Sequence, residues 1–137
     1  MPEAAKAETK EGLEAFAKYW YALLNYAYET GDVAPVSSGT DPNCTFCKGL
    51  IGGVTSAWQE GRWIVGGQIE TASVNALFRP GATTHQATIQ VVQQKIEIHK
   101  PDAGLYQQPT EKSSSASQAT AVYRPTGWVL IDLGLIR

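Results

Sequence analysis

The sequence predicts an α+β fold, with N-terminal helices packed in the concave face of a curved antiparallel sheet of about four strands. Three observations predict it. Apolar residues recur at helical spacing in the first part of the chain and at strand spacing after Gly66. The change follows directly on the stretch TDPNCTFCKGLIGGVTSAWQEGRW (Thr40 to Trp63), which holds both cysteines. Two long strand-like runs then each switch apolar parity partway, as a bulge or sharp bend requires, because side chains alternate strictly along a regular strand. The 137 residues read as a single domain, 1–137, with its helical part over 3–62 and its sheet part over 63–137.

The spacing predicts a first helix from Pro2 to about Thr30. Leu13, Phe16, Ala17, Trp20, Leu23, Leu24 and Ala27 form its apolar stripe, and Gly31 is placed to cap its end. The helix is rich in aromatics. Tyr19 and Tyr26, seven apart and so on one face, either pack at the edge of the core or line a ligand cavity. Asp32 to Gly39 reads as a polar connection. Asp41 followed by Pro42 reads as the start of a second helix, with Asp capping and Pro in the first turn. Cys44, Cys47, Leu50, Ile51, Val54 and Trp58 give that helix an apolar face, and Gly61 ends it. The Gly52-Gly53 pair weakens its middle by ~1 kcal/mol per glycine relative to alanine, so it depends on tertiary packing.

Cys44 and Cys47 admit three readings: a structural disulfide across one helical turn, a redox-active pair, or half of a metal site. The disulfide is favoured. A redox CxxC wants a strand just before it, and here a helix and a polar loop precede it. A metal needs two further ligands at suitable spacing, and His85 and His99 form no such pair. No metal and no cofactor are therefore expected.

Strands are predicted over Gln68 to Phe78 and over Thr83 to His99, around a turn at Arg79-Pro80-Gly81. In the first, Ile69 is odd whereas Val74, Ala76 and Phe78 are even. In the second, Ala87, Ile89 and Val91 are odd whereas Ile96 and Ile98 are even. Gly66-Gly67 reads as a bend. Lys100 to Gln108 is a loop, Ser113 to Arg124 a polar strand, and Pro125-Thr126-Gly127 a turn. Trp128 to Ile136 is apolar on both parities, as expected of a central strand covered on both sides.

Composition narrows the function classes. Charged residues make up 18% and the formal net charge is −2, with no basic cluster, which argues against nucleic acid as a partner. No apolar run approaches a membrane span. Met1 before PEAAKAETK reads as an initiator on a trimmed chain, so the lack of a leader there says little about export. An even cysteine count with many Ser, Thr and Gln fits a location outside the cytoplasm. GxSxG, P-loop, GxGxxG and HExxH motifs are absent. His85 and His99 read as surface strand residues. Asp132, an acid in an otherwise apolar strand, is the most interesting single carboxylate, since burial there demands a partner or a raised pKa; the plainer reading is an exposed side chain or one paired with Arg124 or Arg79. Glu70 lies near the first bend.

The order of elements, with the closing GWVLIDLGLI strand, resembles the nuclear-transport-factor-2-like superfamily, which includes ketosteroid isomerases and has a cystatin-like cone. AFAKYWYALLNYAYETGD, DPNCTFC and the final tryptophan strand together resemble an uncharacterised family of actinobacterial secreted lipoproteins over nearly the whole chain. That resemblance implies an extracytoplasmic domain, tethered to the membrane only through a lipid-modified cysteine upstream of the fold. The expected function is non-catalytic binding of a small molecule or an envelope protein, with Tyr19, Tyr26, Trp58 and Asp132 lining the cavity. One alternative is an isomerase- or hydratase-like enzyme using Asp132 and a tyrosine inside the cone. Another is a structural envelope module that forms a homodimer.

Overall fold

The computed structural model describes residues 2–102 and 104–136. Helices α1 (Lys10–Thr30), α2 (Ala34–Ser38) and α3 (Thr45–Ala57) come first, followed by strands β1 (Trp63–Gly66), β2 (Ile69–Leu77), β3 (His85–Gln93), β4 (Ile96–His99), β5 (Ser113–Arg124) and β6 (Gly127–Ile136). The fold is α+β, with antiparallel sheets.

The first helix does not run from Pro2. Glu3–Lys6 is a single 3-10 turn, Ala7 is extended, and α1 starts after Thr9, whose hydroxyl accepts from the Gly12 N–H at 2.9 Å. Two aromatic donors from the sheet hold the link open. Tyr123 donates its hydroxyl to the Lys6 carbonyl at 2.6 Å, and Trp128 Nε1–H donates to the Ala7 carbonyl at 2.8 Å. A strong cap and these tertiary bonds override helix propensity. At the other end Gly31 takes φ +79° and its N–H bonds the Ala27 carbonyl at 2.8 Å, ending α1 as expected.

Asp41 does not start α3. Asp41 N–H donates to the Leu130 carbonyl and Leu130 N–H to the Gly39 carbonyl, so Thr40 forms a parallel bridge to Leu130 at the edge of β6. Asp41 instead accepts from the Asn43 N–H at 2.8 Å and from Arg124 Nη2 at 2.9 Å, and Cys44 becomes the N-cap of α3. The connection expected over Asp32 to Gly39 contains α2, with Pro35 in its first turn.

The main sheet has the order β2-β3-β5-β6, and β1 pairs with β4 as a separate two-stranded sheet. The parity changes have two physical causes. In β2 a register shift lies between Thr71 and Ser73. The run Thr83 to His99 is two strands: β3 stays in the main sheet, and β4 leaves it to pair with β1. The bend at Gly66 (φ +80°) and Gly67 (φ +83°) makes room for this, since a Cβ on Gly66 would collide with the Lys95 carbonyl.

β6 is an edge strand rather than a central one. Its apolar residues fall on both parities because the register shifts opposite Thr120/Ala121, moving the inward set from Trp128 and Leu130 to Leu133. At the opposite edge, α1 caps the backbone of β2. Glu14 accepts from the Ala76 N–H at 2.9 Å. Asn25 accepts from the Ile69 N–H at 2.7 Å and donates to its carbonyl at 2.9 Å. The core is large against small. Phe16, Trp20 and Leu24 of α1 face a sheet whose inner positions include Ala76, Ala87, Ala119 and Ala121, so the helix settles deep in the concave face.

Candidate functional site

That packing fills the interior. Between α1 and the sheet a cavity of about 10 Å³ remains, bordered by Phe16, Trp20, Ile89 and Leu130. This is about the space of one water. Hollows of about 320 and 380 Å³ lie at the turn over residues 79–86 and around Arg62 and Lys100, and both have charged residues in their walls. At the mouth lie two hollows of about 110 and 200 Å³ with mostly apolar walls.

The smaller hollow has Tyr21, Leu24 and Tyr28 of α1 on one side and Phe46 and Leu50 of α3 on another. Its floor is the inner face of the sheet, including Val91, Ser117 and Leu135. The larger hollow lies between α3 and the small sheet, against Ile64, Ile96 and Ile98, with Gln107 and Thr110 at its rim. The two share Tyr28 and Leu50 as walls. Among the described residues no charged side chain borders either one.

The larger hollow owes its width to glycine. Gly49 and Gly53, one helical turn apart, both border it, and no heavy atom lies within 4 Å of where a Cβ would sit on either. The disulfide positions the same helix. Cys44 and Cys47 are bridged with Cα atoms 5.3 Å apart and are 1% and 0% exposed, pinning the first turn of α3 and with it Phe46 at the rim. Among the described residues there is no free thiol, and His, Cys, Asp and Glu form no group that could hold a metal.

At the base of the smaller hollow Tyr21 Oη and Ser117 Oγ bond each other at 3.0 Å. Burial pushes the Tyr21 phenol above its ordinary value, and the Ser117 hydrogen bond opposes this more weakly. Tyr21 therefore stays protonated well into the alkaline range.

The four residues expected to line a cavity lie elsewhere. Tyr19 is partly buried and Tyr26 is 45% exposed, both off the face of α1 that carries Tyr21, Leu24 and Tyr28. Trp58 packs against Gly31 and donates Nε1–H to the Tyr28 carbonyl at 3.2 Å, fastening α3 to α1. Asp132 is exposed opposite Thr120 on the outer face of the sheet and accepts from the Leu133 N–H at 3.0 Å. Neither arginine pairs with it, and Arg124 is taken by Asp41. None of the four borders either hollow. His85 also departs from expectation. It is 4% exposed, stacked on Phe78 at 4.4 Å with Trp128 edge-on, and its Nδ1 accepts from the Arg79 N–H at 3.3 Å. His99 is half-buried, stacked on Trp63 beside Glu97. The mouth residues had signals in the sequence that went unused: Tyr21, Leu24 and Tyr28 at helical spacing, and Gly49 four residues before Gly53.

A family model described as "Family of unknown function (DUF6318)" matches residues 1–134. No curated protein matches the sequence. Solved structures share the fold at low identity. The intermembrane space region of chloroplast protein ARC6 superposes with a TM-score of 0.66 at 8% identity, covering 93% of this chain and 96% of that one. An uncharacterized protein with a cystatin-like fold from Caulobacter vibrioides gives 0.54 at 12% identity, covering 92% and 89%. An NTF2-like protein with a cystatin-like fold from Novosphingobium aromaticivorans gives 0.52 at 12% identity, covering 87% and 77%. At such identities the likeness is one of fold.

Proposed function

This chain belongs to the DUF6318 family, and for it we propose a non-catalytic binding role outside the cytoplasm, on a domain held at the cell surface by a lipid anchor upstream of the fold. The observation that carries the binding role is the pair of adjoining hollows at the mouth of a filled cone, bordered among the described residues by apolar and neutral polar side chains. A trough walled by aliphatic and aromatic side chains with a few neutral polar groups suits a small apolar ligand. The isomerase-like alternative needs a buried carboxylate facing a tyrosine. Asp132 faces away from the cone, and the polar partner of Tyr21 is a serine. The buried disulfide supports a location in an oxidising compartment, and the lipid anchor rests on the resemblance to actinobacterial secreted lipoproteins.

Native mass spectrometry of protein recovered from a secreting actinobacterial host tests the binding role. The expected spectrum shows added mass that is lost on denaturation. A clean apo mass, together with no uptake of an added hydrocarbon probe, contradicts it. Surface proteolysis of intact cells tests the compartment: protection of the protein until the cells are lysed would contradict the surface location.

A further inference from the structure

Two buried hydroxyls at the base of the groove have a hydrogen to spare. Tyr21 and Ser117 are 6% and 2% exposed, and their oxygens bond each other at 3.0 Å. Two hydroxyls carry two hydrogens, and one suffices for the bond between them whichever oxygen donates. Among the described residues neither oxygen has another hydrogen-bond partner. The second hydrogen is thus free to donate into the hollow that both residues border. A buried donor without an acceptor is costly, so this end of the groove favours an occupant that brings one. The nearby Gln93 amide donates one hydrogen to the Gly67 carbonyl at 3.1 Å, and the Ser115 hydroxyl also borders this hollow, so this end of the groove is neutral and polar around the buried pair.

Beyond this end the walls are mostly apolar, with Gln107 and Thr110 at the far rim. Leu24, Tyr28 and Leu50 are followed by Val54, Ile96 and Ile98 of the larger hollow, which shares Tyr28 and Leu50. A charged head group would lose its hydration there and, among the described residues, find no counter-ion along either hollow. A neutral oxygen needs only a donor, and the Tyr21–Ser117 pair supplies one.

Resting on the binding role proposed above, we infer that the groove takes an uncharged amphiphile: an apolar chain bearing one neutral acceptor oxygen, such as an ester, ketone or alcohol. The oxygen meets the Tyr21–Ser117 pair, and the chain runs along the Gly49–Gly53 face of α3. The two hollows of about 110 and 200 Å³ share Tyr28 and Leu50 as walls, so an apolar chain anchored at the Tyr21–Ser117 pair can extend from one toward the other. Tyr21 remains a donor at high pH because burial raises its pKa.

The test compares three probes of equal chain length by titration calorimetry at neutral pH: methyl decanoate, decanoate anion and decyltrimethylammonium. Diphenylhexatriene, a hydrocarbon with no polar atom, reports occupancy of the groove by fluorescence. The ester is expected to bind at least ~10-fold tighter than either ion. The double variant Tyr21→Phe/Ser117→Ala is expected to lose ~5-fold to 10-fold for the ester while keeping its hydrocarbon affinity, which also shows that the variant is folded. Equal affinity for ester and ions overturns the inference and leaves the binding role standing. So does an ester affinity unchanged in the double variant with the hydrocarbon still bound. Failure of wild-type protein to bind the hydrocarbon overturns both.

Discussion

Arg62 is 8% exposed, and its guanidinium ties three segments together. Nη2 donates to the Ser56 carbonyl at 2.6 Å near the end of α3, Nη1 meets Glu60 at 3.1 Å, and the Tyr106 ring stacks 4.0 Å from its carbon. Tyr106 belongs to the loop that carries Gln107 and Thr110 to the groove rim. Arg62→Ala is expected to cost ~1–2 kcal/mol in urea denaturation, because it removes the charged hydrogen bond to the Ser56 carbonyl and the contact with the Tyr106 ring; a loss under ~0.5 kcal/mol contradicts this. Asp41 makes a pH prediction. Its hydrogen bond from the Asn43 backbone, and then the one from Arg124, hold its carboxyl below the ordinary 3.8. A depressed folded-state pKa gives stability that is present above the unfolded value and lost as pH falls through the folded one. Asp41→Asn should therefore be less stable than wild type at neutral pH and lose less on acidification below the carboxylate range. Parallel acid curves for the two proteins contradict that assignment. At this scale the cysteine pair was legible from sequence, because the elements around it leave no strand for a redox motif and no further ligands for a metal. For Asp132 the plainer reading, an exposed side chain, is what the structure has; a cavity-lining role did not follow, because the shift beside Thr120/Ala121 turns it to the outer face. His85 was misread because its burial depends on Phe78 and Trp128, contributed by other segments.

Elements were most legible where one rule governs them. Helical spacing found α1 and α3, and the parity changes located the β2 bulge and the break between β3 and β4. Element ends and neighbours were less legible, because long-range bonds set them. The sheet binds the backbone of residues 7, 39 and 41 and so delays both helices, and β1 shows itself only through its pairing with β4. Glycines at this scale play opposite roles, which is testable in one pair of variants. Gly52 lies in the interior of α3 with open space around its Cβ position, so Gly52→Ala is expected to raise stability by ~0.5–1 kcal/mol. Gly66 has a positive φ and no room beside the Lys95 carbonyl, so Gly66→Ala is expected to cost ~1–3 kcal/mol. Thermal or urea melts that moved both variants in the same direction would contradict this division.

For the whole molecule, a helical front packed on a curved sheet followed from the order of elements, and the structure has that form. Whether the cone is filled did not follow, since that depends on which large side chains of α1 meet which alanines of the sheet. The apolar open space was displaced to the mouth, where α3 stands off the small sheet on its glycines. The start of α3 is tied to β5 through the Asp41–Arg124 pair, with the disulfide rigidifying its first turn, and its end is held to α1 by Trp58. If the mouth, and not the filled interior, takes the ligand, a side chain placed in the mouth must compete with it. Fluorescence titration with diphenylhexatriene of wild type against Gly53→Leu measures that competition. Nothing lies within 4 Å of a Cβ at Gly53, the residue borders the larger hollow, and leucine suits a helix better than glycine. Saturable binding by wild type is expected, with binding weakened ~10-fold or more in a variant that melts no lower, because the side chain occupies the groove. Equal binding by both proteins, or none by wild type, would contradict it.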